Sequence, residues 1–211
     1  MNKIDELTEY FKKFPGVGPK QANRFAYYVL MKGENFTYEI SKAMSEIHKE
    51  IFLCDECFQF FVKKPDQEIK MCGICSSNSR EKDKLLIVSN DIDAKIIEKS
   101  GTFQGLYFVL GGVMPILSND QNLIRIKELK NRLTNDKNLK EIIIALDATP
   151  EGENTANILT KEIINFKQNQ SNKLGHIENL KVSKLGRGLS TGSEIEYADS
   201  ETLKNAFKNR F

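Results

Sequence analysis

The chain has 211 residues, 40% of them apolar and 28% charged, and a formal net charge of +2. That length suits one large domain or two to three small ones, and the apolar content is ordinary for a globular protein. A balance so near neutral excludes attraction to nucleic acid or membrane by overall charge, so electrostatic selectivity has to come from local clusters. The N-terminal stretch Met1–Tyr10 is charged and lacks the apolar run of a secretory signal. The longest apolar stretch, Leu106–Leu117, is short and broken by Gly111, Gly112 and Pro115, so no membrane span is expected. These features predict a cytoplasmic protein.

Ile4, Leu7, Phe11 and Phe14 recur at helical spacing and predict a first helix. Pro15-Gly16-Val17-Gly18 stops it, and Pro19 stands where a first helical residue tolerates a missing N–H. In the second helix Ala22, Phe25, Ala26 and Val29 form an apolar stripe, with Lys20, Asn23 and Arg24 away from its centre. From Tyr10 to Gly33 there are five cations, Lys12, Lys13, Lys20, Arg24 and Lys32, and no Asp or Glu. A solvated helix face would explain such a run. Glycines beside a helix start, however, let a phosphate approach the free N–H groups and the positive dipole end. The segment is similar to the helix-hairpin-helix motif, which grips the DNA backbone without reading bases. Gly16, Val17, Gly18, Lys20 and Arg24 are therefore the expected DNA contacts. A third helix is predicted from Tyr38, Ile40, Ala43, Met44, Ile47 and Ile51, with His48 structural or exposed.

All four cysteines lie in two Cys-x-x-Cys pairs, Cys54–Cys57 and Cys72–Cys75. Four soft thiolates at this spacing suit a closed, tetrahedral, structural zinc site with no open position for substrate. Two disulfides are the alternative, but they belong to oxidising compartments and secreted chains. Phe58, Phe60 and Phe61 are expected to pack beside the knuckles.

Beyond a polar link, Ser76–Lys84, strands and helices alternate. Strands are predicted at Leu85–Val88, Leu106–Leu110 and Glu141–Leu146, with helices at Asp93–Lys99, Leu123–Leu133 and Thr155–Phe166. Such alternation means a parallel sheet covered on both faces. Its ligands would sit at the carboxyl ends of the strands. Asp147, Glu151 and Glu153 fall there in an expected acidic loop, a candidate for weak magnesium binding or partner docking. Asn165–Lys173 reads as a polar loop. In the tail, Leu180, Val182 and Leu185 read as a strand, Gly186–Gly192 as a flexible loop and Ile195–Tyr197 as another short strand. Arg187 is a candidate for phosphate contact or a salt bridge.

In this order the parts resemble RecR, the bacterial recombination mediator family. The resemblance rests on Phe14–Lys20, the four cysteines, Gly101–Leu110, Glu151-Gly-Glu-Asn-Thr-Ala156, and Leu185–Leu189 leading to Glu194–Asp199. It implies an α+β, multi-module chain: a helix-hairpin-helix module at 1–53, a four-cysteine zinc finger at 54–76, a Toprim α/β domain with a parallel sheet at 77–178, and a Walker-B-like assembly segment at 179–211. It further implies a nucleoid-associated, ring-shaped homo-oligomer. Such an assembly would hold mainly duplex DNA and act with RecO and RecF to load RecA at gaps and breaks.

Toprim enzymes hold magnesium with a glutamate after the first strand and an Asp-x-Asp pair after a later one. In this chain Ser89 stands at the glutamate position and Thr149 at the second aspartate, leaving Asp147 with Glu151 and Glu153; Asp91 or Asp93 could substitute. Metal-assisted strand cleavage needs several converging carboxylates and a nucleophile. No catalysis is therefore expected, with a magnesium-dependent nuclease or topoisomerase of rearranged centre as the alternative. No Gly-x-x-x-x-Gly-Lys-[Ser/Thr] phosphate loop exists to support nucleotide hydrolysis at the tail.

Overall fold

The structure is a computed structural model that describes residues 2–62, 70–117, 121–170 and 174–210, Gln121 by its backbone only. The chain forms two compact units, Met1–Phe52 and Leu53–Phe211.

In the first unit, α1 (Lys3–Phe11) starts at a capping box in which Asn2 and Asp5 satisfy each other's backbone N–H groups. Phe14 lies beyond the end of this helix, in the turn, although its spacing had placed it on the helical stripe. The long segment α2 (Pro19–Glu50) is two helices in sequence, broken where Gly33 takes φ 81° and ψ −175°. The predicted second and third helices thus meet end to end. Ala22 and Ala26 are fully buried, and Phe11 meets the Phe25 ring edge-on at 5.7 Å.

The short strand β1 (Ile51–Leu53) runs from the last two residues of the first unit into Leu53 of the second; in the second unit β2 (Phe60–Val62) follows the first cysteine pair, and the single helical turn α3 (Gly73–Ser76) carries Cys75. A four-stranded sheet follows, all of it parallel, in the order β4-β3-β5-β6. Its strands are β3 (Glu81–Val88), β4 (Gly105–Val109), β5 (Glu141–Ala145) and β6 (Lys181–Lys184). On one face Leu85, Ile87, Phe108 and Ile142 pack against Leu129 and Leu133 of α5 (Ile126–Asn135) and against Leu159 and Ile163 of α6 (Pro150–Gln170). On the other, Leu86, Val88, Tyr107 and Val109 pack against Ala94 and Ile97 of α4 (Asp91–Ser100). β4 and β3 are buried on both faces, hence their unbroken apolar runs.

Several expectations are corrected. β3 begins at Glu81, inside the stretch read as a polar link, because ladder bonds are made by backbone and tolerate the charged pairs Lys84–Glu81 and Lys140–Asp83 at the strand end. The helix expected from Leu123 begins at Ile126. Arg125 is held out of helical geometry, at φ −80° and ψ 53°, with its N–H donated to the Leu110 carbonyl. α6 begins at Pro150, a residue suited to a first helical turn, so Glu151 and Glu153 are helical residues and not loop. It runs on to Gln170 through most of the segment read as a polar loop, whose residues 171–173 lie outside the described ones. Ile195–Tyr197 is a 3-10 turn rather than a strand, with Ile195 68% and Tyr197 81% exposed and no sheet to bury them. A final helix, α7 (Ser200–Lys208), was not anticipated; Asp199 caps it, accepting from the N–H groups of Glu201 and Thr202 at 2.9 Å each.

Candidate nucleic-acid interface and metal centre

The hairpin is built by local chemistry. Val17 N–H donates to the Phe14 carbonyl at 3.1 Å, and Gly16 sits at φ 75°, a backbone region costly for residues with a Cβ. Gly18 is the N-cap of α2 and Pro19 its first residue, and no side chain caps this helix start. The N–H groups of the first turn therefore lie open toward solvent together with a dipole worth about half a positive charge. Lys20 and Arg24, one turn apart and both exposed, stand beside them. Among the described residues no acid pairs with either. The other cations of the run are more engaged. Lys12 pairs with Glu9 at 2.6 Å, and Lys13 and Lys32 lie over the Tyr10 and Tyr28 rings. Gly16, Gly18, Lys20 and Arg24 are exposed, with Val17 half-buried between the glycines, and together they form one cationic, donor-rich turn.

The four cysteines are unpaired by disulfides, and their sulfurs all lie within 4.8 Å of one another. A tetrahedral ion with sulfur ligands at about 2.3 Å places its sulfurs about 3.8 Å apart. Cys57 and Cys72 Sγ stand at 3.5 Å, close to that spacing. Hydrogen bonding within the cluster drives the thiols apart in acidity: the bond with Cys57 lowers Cys54, and the same bond raises Cys57. Four crowded, largely buried sulfurs cannot all ionise unless a cation joins them. The donor set fits a bound metal ion. Cys72 N–H donates to Cys54 Sγ at 3.3 Å, so backbone helps to orient that sulfur, and the buried Gln59 side chain lies 3.7 Å from Cys57 Sγ.

The knuckle is fastened to the sheet through Phe58, which takes φ 60°, the one positive φ among described non-glycine residues. Its ring meets Phe108 edge-on at 5.4 Å and lies 5.2 Å under the Arg125 guanidinium. Val109 N–H donates to the Cys57 carbonyl at 2.8 Å, so the knuckle covers the open edge of β4. Arg132, from α5, donates to the Glu56 carbonyl at 2.6 Å. The expectation that three phenylalanines pack beside the cysteines holds for Phe61. Phe58, half-buried, packs instead against the sheet core, and Phe60 is 55% exposed. Asp91, Arg125 and Arg132 were missed as anchors, because nothing local marks a side chain whose partner is tens of residues away.

At the carboxyl ends of the strands the acids are dispersed. Among the described residues the cysteines form the one group of three or more potential metal ligands; Asp147, Glu151 and Glu153 do not gather into another. Glu153 is held by Arg187 in a short ion pair and by Lys184 at 3.7 Å. Arg187 is thereby assigned its salt bridge. Ser89 is buried and donates to Asp93 Oδ2 at 2.5 Å, while Asp91 accepts from Phe60 N–H at 2.7 Å. Each of the two aspartates expected as a possible substitute thus already accepts a hydrogen bond, Asp93 from Ser89 and Asp91 from the Phe60 backbone. Gly152 allows α6 to start so close to β5 that a Cβ there would meet the Asp147 carbonyl oxygen at 2.1 Å. No described helix is long and apolar enough to cross a membrane.

Comparison with known proteins matches three stretches to family models: RecR helix-hairpin-helix at 4–48, Toprim domain at 83–178 and RecR C-terminal at 188–210. The chain is 36% identical to the recombination protein RecR of Lactobacillus helveticus over 98% of its own length and 96% of the relative's. RecR of Levilactobacillus brevis gives the same figures, and RecR of Chloroflexus aurantiacus is 32% identical over 98% of this chain and 93% of its own. With hairpin, cysteine cluster and Toprim sheet in one order along the whole length, the chain belongs to the RecR family of recombination proteins.

Proposed function

We propose that this protein is a non-catalytic mediator of DNA recombination and repair that holds mainly duplex DNA through its hairpin. Gly16, Val17 and Gly18 bring backbone N–H groups to a phosphate, and Lys20 and Arg24 neutralise it and its neighbour. The observation that carries the reading is that these two cations stand exposed and unpaired by any described acid, beside an uncapped helix start. Cys54, Cys57, Cys72 and Cys75 hold a structural zinc ion, since an all-thiolate shell leaves no position for substrate. The working division is a hairpin module at 1–53, zinc finger at 54–76, Toprim domain at 77–178 and assembly segment at 179–211. By family likeness the protein works as a ring-shaped homo-oligomer in the cytoplasm, at the nucleoid, with RecO and RecF, and promotes RecA loading at gaps and breaks. The exposed side of Asp147–Glu153 serves partner docking or weak magnesium binding. Catalysis is disfavoured because Ser89 replaces a carboxylate and Glu153 is already neutralised by two cations.

The test is a DNA-binding titration of the Lys20→Glu/Arg24→Glu variant across a salt series. Loss of two phosphate contacts should weaken affinity and reduce the slope of log K against log salt by about 1.8. Unchanged affinity and slope would remove the hairpin from the interface. With supercoiled plasmid and magnesium, the expected result is gel retardation without nicking or relaxation; magnesium-dependent nicking would establish the Toprim nuclease or topoisomerase instead.

A further inference from the structure

A second surface has a different character from the hairpin. On α4, Ile92, Lys95, Ile96 and Lys99 follow the i, i+3, i+4, i+7 spacing of one helix face. The helix needs none of them for its core, which it meets through Ala94 and Ile97. Ile92 and Ile96 are 67% and 63% exposed, an unusual investment of two isoleucines in solvent on consecutive turns. Beside this face lies a cleft of about 700 Å³, lined among others by Phe60, Phe61, Ile74, Lys95 and Lys99. The Phe60 N–H bond to Asp91 ties β2 to the start of α4 and so joins cleft and helix face.

The charge here is one-sided. Among the described residues the one acid lining the cleft, Glu98, is engaged by Arg80 in a short ion pair and by Tyr107 Oη at 3.0 Å. Lys95 and Lys99 are exposed, and no described acid pairs with them.

We propose that this face and cleft dock a short acidic peptide segment of a partner protein that carries aliphatic or aromatic side chains. Carboxylates of the peptide would meet Lys95 and Lys99, and its apolar side chains would bury Ile92, Ile96 and Phe60. Single-stranded DNA is the competing ligand for a cationic cleft, but base stacking needs flat rings. The exposed apolar surface here is chiefly isoleucine, with Phe60 its one strongly exposed ring. The site is independent of the hairpin, so it stands or falls apart from the DNA reading.

The probe is a short fluorescein-labelled peptide of alternating Asp and Leu, titrated with the full-length, zinc-loaded protein and followed by anisotropy. A control peptide has Lys in place of Asp. The acidic peptide should bind saturably, more weakly as salt rises, and the basic one should not. Lys95→Gln/Lys99→Gln and Ile92→Ser/Ile96→Ser should each weaken it about tenfold, since charge and apolar contact both contribute. Both variants alter exposed helix positions, and unchanged far-ultraviolet dichroism and DNA affinity would show that they fold. Absence of peptide binding, full binding by the isoleucine variant, or displacement of the peptide by oligothymidylate would each overturn the proposal.

Discussion

Removal of the zinc ion proposed for the four cysteines should be felt in the sheet, well beyond them. Without an ion the four sulfurs repel or reprotonate, and the turn that holds Phe58 at φ 60° loses its frame. Three contacts then go together: the Phe58 ring on Phe108, the Val109 N–H to Cys57 carbonyl bond, and the Arg132 bond to the Glu56 carbonyl. Burial of a phenylalanine contributes about 2 kcal/mol, a backbone hydrogen bond about 1 and one from a charged donor about 2. Relief of the left-handed conformation at Phe58 returns about 1–2 kcal/mol. The net loss is about 3–4 kcal/mol, which for a unit of this size corresponds to a fall in melting temperature of about 6–16 °C. The assay is thermal unfolding with and without a zinc chelator under reducing conditions, together with amide exchange at Val109 and its β4 neighbours. Exchange is the sharper readout, because chelation should bare that strand edge even below the melting transition. If Val109 stays protected and the melting temperature does not move, the knuckle does not brace the sheet and the reasoning fails.

Three further outcomes are expected. Gly152→Ala should destabilise the chain by about 1–3 kcal/mol in urea unfolding, since the new Cβ would press on the Asp147 carbonyl oxygen, whereas Gly175→Ala, in open space, should be nearly neutral. The Ser183 hydroxyl, and after it Lys181, holds the Glu141 carboxyl below the usual glutamate range. Its contribution is therefore complete above the unfolded value near pH 4.3 and is lost as pH falls through the lower folded value, so Glu141→Gln should flatten the acid limb of a stability–pH curve. Arg187→Glu would set two carboxylates against each other at Glu153 and disturb the Arg187 carbonyl that Asn209 Nδ2 binds at 2.7 Å. The α7 amides should then exchange faster while those of β5 do not; equal protection in both proteins would show that this ion pair does not secure the tail.

The sequence alone determined whatever depends on neighbours along the chain. The spacing of the cysteines marked a four-sulfur cluster, Pro-Gly-Val-Gly-Pro marked a turn between helices, and apolar runs separated by amphipathic stretches marked a parallel sheet. Each is a local signal, because turn geometry, ligand spacing and helical periodicity act over a few residues. What tertiary structure decided is which side chains meet. Glu153 and Arg187 lie 34 residues apart and Phe60 and Asp91 are 31 apart, while Arg132 reaches back 76 residues to Glu56. No periodicity encodes such partners. Before folding, the acids after β5 read as a free loop with room for magnesium. The folded chain turns Pro150 into a helix start, pairs Glu153 with two cations from the tail and leaves Asp147 exposed. Phe58 likewise read as part of the zinc knuckle, until a left-handed turn after Cys57 aimed its ring against the sheet core, where the apolar contact outweighs the strain of holding it there.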